Sequence, residues 1–129
     1  MASFLFQLHS GLRYLILLAA ATTLILLLLA TVRKRPVQGG GYGAWRIFVV
    51  LLDIQLLAGL LVVFTRPFLP RVIGHITMMA LAIIAAHVIS VVFKRRPPER
   101  QTPALLLAGV ILCVVLIVGG ILSIGRPIV

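Results

Sequence analysis

The chain has 129 residues, 62% of them hydrophobic, with a mean hydropathy of +1.24 and a net charge of +10. So high an apolar share excludes an ordinary water-soluble domain and leaves no polar stretch long enough for a second, soluble one. The charge invites nucleic acid, but the basic residues stand beside the ends of apolar runs, which sets nucleic-acid binding aside in favour of membrane topology.

Four apolar runs predict four transmembrane helices, over 5–32, 44–64, 72–93 and 103–124, in one all-α integral-membrane domain. Each meets the roughly 20 residues a helix needs to cross the hydrocarbon core. Continuous rather than alternating hydrophobicity selects helices over a barrel. The first run carries His9 and, one turn on, Arg13. It reads as a retained helix, being too long for a leader's apolar region and lacking basic residues ahead of it.

The connection Arg33 to Gly43 holds Pro36 and four glycines and reads as a flexible loop. With no strand before it and no Gly-Lys-Ser/Thr pattern, it is a poor phosphate cradle. The second run carries Asp53, Gln55 and Gly59 and ends in a short connection, Thr65 to Arg71, with two prolines. Short connections make neighbouring helices antiparallel and predict an up-down-up-down bundle, with the first and third helices on a diagonal. The third run carries His75 and His87 and leads into a basic, proline-stiffened connection, Lys94 to Pro103, suited to anionic lipid. The fourth contains Cys113, the sole cysteine, which excludes an intrachain disulfide and reads as a small packing residue.

Arg33, Lys34, Arg35, Arg46, Lys94, Arg95, Arg96 and Arg100 fall on one side of the membrane, against Arg13, Arg66, Arg71 and Arg126 on the other. The positive-inside rule makes the first side cytoplasmic and puts both termini outside.

Two segments 66 residues apart read as copies, His9-Ser-Gly-Leu-Arg-Tyr-Leu15 with Ala19-Ala20, and His75-Ile-Thr-Met-Met-Ala-Leu81 with Ala85-Ala86. Their tails also match at a spacing of 60, Gly59 through Arg66-Pro67 with Gly119 through Arg126-Pro127. The pattern suggests a duplicated helical hairpin with a pseudo-two-fold axis. Duplication would set His9 and His75 at matching depth near the outer boundary, as two axial ligands of one haem iron are set. On this reading Gly59 and Gly119 let backbone approach the ring edge, and Arg13, Arg66 and Arg126 face its propionates. The plainer alternatives are histidines hydrogen-bonded in the core, glycines that only permit close helix packing, and terminal arginines that reach for headgroups. Zinc would want further His, Cys or carboxylate ligands on that side. His87 lies about 18 Å along the helix from His75 and cannot share its iron. It matches Asp53 in depth instead, predicting a buried polar pair that serves a proton path, a quinone contact or helix register.

Leu8-His9-Ser-Gly-Leu-Arg13-Tyr14, Asp53-Ile-Gln55-Leu-Leu-Ala-Gly59-Leu and Gly74-His75-Ile-Thr-Met78 together resemble a family of small bacterial four-helix membrane proteins described as cytochrome b-like. The likeness spans most of the chain, but its motifs are short. His9, Arg13, Gln55, Gly59 and His75 match the pattern, whereas Asp53 stands where the family has a second-helix histidine and Gly74 and Ile76 replace the flanks of the third-helix histidine. The resemblance implies a bacterial inner-membrane protein.

The leading expectation is a small b-type cytochrome, a haem-binding subunit that passes single electrons near the outer face rather than an independent enzyme. Haem b is the expected cofactor, with quinone a second candidate for the slot, and the expected partners are lipid and a larger membrane redox complex or a homo-oligomer. The alternatives are a non-catalytic accessory subunit of a respiratory or photosynthetic complex and a small proton-coupled transporter using Asp53.

Overall fold

The structure, a computed structural model, describes residues 2–34, 40–65 and 72–123. Four helices make up nearly all of it: α1 Ala2–Val32, α2 Gly40–Thr65, α3 Val72–Arg95 and α4 Pro103–Ser123, with a single 3₁₀ turn at Pro98–Arg100 and no strand among the described residues. All four are long and apolar enough to cross a membrane. At 1.5 Å per residue even the 21-residue α4 is about 32 Å long, matching a hydrocarbon core of about 30 Å. The outward surface is itself apolar, with Leu18, Ile25, Leu57 and Val115 all more than half exposed, as befits helices whose solvent is lipid.

One boundary differs from expectation. The glycine-rich loop ends four residues sooner than predicted, and Gly40, Gly41 and Gly43 form the first turn of α2. Close packing overrides the low helix propensity of glycine here. Gly41 is buried, and a Cβ on Gly40 would lie 3.5 Å from Leu26 Cδ1 on α1. Tyr42, in the same turn, stacks on Phe93 with ring centres 5.0 Å apart.

The tightest pairings are α1 on α2 and α3 on α4, followed by α1 on α4. In contrast, α2 and α3 meet sparsely, and the backbones of α1 and α3 do not approach. Within each tight pair the start of one helix lies against the end of the other: His9 and Leu26 of α1 meet Gly59 and Gly40 of α2, and Met79 and Ile89 of α3 meet Gly120 and Gly109 of α4.

The core is graded along the bundle. Trp45, Phe48, Phe93, Leu27 and Leu106 fill the end nearer the basic connections. Toward the other end the buried positions shrink to Ala20, Ala58, Ala82 and Ala86 beside Ile16, Ile117 and Ile121. Two buried polar groups bond within the bundle: Thr23 Oγ1 donates to Ala19 O at 2.7 Å and Trp45 Nε1 donates to Ser90 Oγ at 2.9 Å. Bulk at one end and small residues at the other leave room around the two histidines.

Candidate functional site

His9 sits two turns into α1 and His75 one turn into α3, on helices whose backbones stay apart. Their side chains converge across the core, with ring centres 6.2 Å apart and planes at 87°. Both line a cavity of about 90 Å³ together with Phe6, Arg13, Gln55 and Met79. Ile16, Leu52, Ile117 and Ile121 complete its apolar wall.

Each ring rests on a glycine. A Cβ on Gly59 would come within 3.1 Å of His9 Cε1, tighter than ordinary van der Waals contact. His75 meets Gly120, where a Cβ would lie 3.6 Å from its Nδ1. Gly119, its neighbour, faces Met78, because one residue turns the helix by about 100°. A glycine doublet hides from sequence which of its members faces inward.

His75 Nδ1 lies 3.2 Å from the Gly120 carbonyl oxygen. A carbonyl only accepts, so Nδ1 carries the proton and Nε2 keeps the lone pair. On the other side, Gln55 Nε2 donates to the His9 carbonyl oxygen at 2.7 Å, tying α2 to α1 beside the ring. The Gln55 side chain also lies against the His9 imidazole, and His9 Nδ1 and Gln55 Oε1 are both buried.

Arg13 reaches the cavity wall, and its Nη2 donates to the Tyr14 hydroxyl at 2.9 Å with the guanidinium 4.8 Å from the ring centre. Arg66 and Arg126 lie outside the described residues. Asp53 and His87 do meet, with His87 Nε2 2.8 Å from Asp53 Oδ1, but the pair is not buried. Their side chains are 45% and 52% exposed on the flank between α2 and α3. Sequence depth located the partners, while the sparse α2–α3 packing that leaves them outside is a tertiary property.

The two imidazoles are the donor type of a bis-imidazole iron, with ring centres 6.2 Å apart. Two imidazoles on opposite faces of one metal, with metal–nitrogen bonds of about 2 Å, have ring centres about 6 Å apart. The volume adds a condition, because cofactor-sized sites measure roughly 300–1,000 Å³. Side chains lining this cavity must move to admit a macrocycle, and Met79, unbranched and flexible, is the wall best able to do so. Among the described residues no group of three or more His, Cys, Asp or Glu side chains is gathered as a metal site.

No family model, curated protein or solved structure matches the chain.

Proposed function

We propose that this chain is a small membrane b-type cytochrome, a haem-binding electron-transfer subunit in which His9 and His75 would hold the iron. The observation that carries the reading is the 6.2 Å approach of two imidazoles from helices that otherwise keep apart. Haem, when bound, supplies the one-electron chemistry, and the protein supplies ligation, burial and charge. The Gly120 carbonyl holds the His75 ring in the tautomer that leaves Nε2 available. Gln55 holds the α1 backbone at His9, and Gly59 makes room for that ring. Arg13 offers a cation beside the cavity for a carboxylate, and Arg66 and Arg126 follow in sequence beyond the second and fourth spans.

The end-to-start contacts within the helix pairs support an up-down-up-down bundle. The Lys and Arg distribution supports a bacterial inner-membrane orientation with both termini outside and the histidines toward the outer face. Electrons would come from a quinol or a larger membrane redox complex. The transporter alternative loses ground because Asp53 is not among the residues lining the core cavity. A polar pair exposed at the bundle surface favours a chain that works within an assembly.

The test is a reduced-minus-oxidised absorption spectrum of the full chain purified from cells supplied with haem. Sharp b-type bands at one haem per chain are the expected result. Their absence removes the cytochrome reading and leaves the accessory one.

A further inference from the structure

Asp53 lies thirteen residues from the start of α2 and twelve from its end, so its Cα is close to 20 Å from either terminus. His87 shares that depth, being hydrogen-bonded to it at 2.8 Å. A carboxyl and an imidazole therefore sit near the middle of the hydrocarbon layer, 45% and 52% exposed, on a flank otherwise formed by Val50, Leu57, Ile84 and Val91. Ionisable side chains at that depth ordinarily face protein or an aqueous cavity, because lipid has nothing to bond to them. One hydrogen bond between them uses one carboxyl oxygen and one ring nitrogen, and each side chain has a second polar atom with capacity to spare.

We propose that this flank of α2 and α3 is the interface with a second copy of the chain, related by a two-fold axis along the membrane normal. The pair is self-complementary under that operation. Asp53 and His87 lie side by side at one depth on different helices, and a two-fold along the normal preserves depth while exchanging left for right. Asp53 of one copy then faces His87 of the other, and the remaining oxygen and nitrogen can find each other. Both copies share one orientation in the bilayer, as the asymmetry of basic residues requires. The inference does not depend on haem binding.

The same geometry fixes which apolar residues meet. Trp45 bonds to Ser90 and Asp53 to His87, so the chain advances along α2 as it retreats along α3. One turn beyond the pair in the same direction lie Leu57 on α2 and Ile84 on α3, 63% and 58% exposed. Leu57 of one copy is therefore placed against Ile84 of the other.

The experiment co-expresses two differently tagged full-length chains in a Cys113→Ser background, one carrying Leu57→Cys and the other Ile84→Cys, and oxidises the membranes. The expected result is a disulfide between the two tags, with none when Val115→Cys on α4 replaces Ile84→Cys. In a second arm, single-molecule photobleaching of the otherwise unmodified chain in dilute phosphatidylcholine vesicles should show two-step traces. Asp53→Leu should weaken dimerisation roughly tenfold, and exchanging the pair, Asp53→His with His87→Asp, should restore it. Single-step traces from the unmodified chain, or a cross-link as strong at Val115 as at Ile84, would overturn the proposal. The unmodified chain and the paired cysteines leave Asp53 and His87 intact, so a folding defect in Asp53→Leu does not shelter it.

Discussion

The side-chain amide of Gln55 donates to the backbone carbonyl of His9 at 2.7 Å, so a residue of α2 fixes the stretch of α1 from which one imidazole projects. In the proposed cytochrome Gln55 is a positioning residue. Supporting bonds of this kind typically contribute 10–100-fold to the affinity of a metal site. Gln55→Leu should accordingly lower haem retention by that order and broaden the low-temperature bands, while Gln55→Asn, which keeps an amide on a shorter stem, should lose less. Equal retention in Gln55→Leu and the unmodified protein would deny it that role.

The glycines divide by what surrounds them. A Cβ on Gly109 would meet Ile89 Cδ1 and Trp45 Cη2 at 3.0 Å and Ile89 Cγ2 at 3.1 Å, and the indole is held by its bond to Ser90. Gly109→Ala should cost about 1–3 kcal/mol, as overpacking does. At Gly11 and Gly43 nothing lies within 4 Å, so alanine there should be neutral or stabilising by up to about 1 kcal/mol through helix propensity. Thermal denaturation in one detergent ranks the three variants. The opposite order would mean that α3 and α4 are packed differently.

Trp45 is the sole tryptophan and fully buried, which makes its fluorescence a probe of the bundle's aromatic end. Ser90→Ala removes the acceptor of the indole N–H and should destabilise by about 1–3 kcal/mol, the cost of leaving a buried donor unpaired. Emission should shift with it. A spectrum and melting curve identical to the parent's would show that the indole has another acceptor.

Cys113 is buried, with its thiol directed at the Ala82 carbonyl oxygen 3.5 Å away. A maleimide should leave it unmodified in the folded protein and label it fully after denaturation. Prompt labelling in mild detergent would contradict the α3–α4 packing.

Much of this arrangement was legible in the sequence, for reasons that can be named. Continuous apolar runs in lipid admit helices, so element type and number followed from composition. Helical rise paired His9 with His75 and Asp53 with His87 by depth, because 1.5 Å per residue is a property of the backbone alone. By the helical turn Ile16 and Ala20 share a face with His9, and Ala82 and Ala86 with His75, and all four are buried. What depth does not carry is rotation and lateral packing. Those decide that Gly120 rather than Gly119 meets His75, and that Asp53 and His87 lie on the surface rather than in the core. Gly40 and Gly41 read as a loop because propensity is local, whereas the neighbouring α1 surface that draws them into a helix is tertiary.

The bis-histidine account is tested most directly by the reduced-minus-oxidised spectra of three variants in the full chain, His9→Ala, His75→Ala and His87→Ala, purified with the same haem supply. The b-type bands should be lost in the first two and retained, at the parent's stoichiometry, in the third. Bands that survive removal of either His9 or His75, or that vanish with His87, would contradict it.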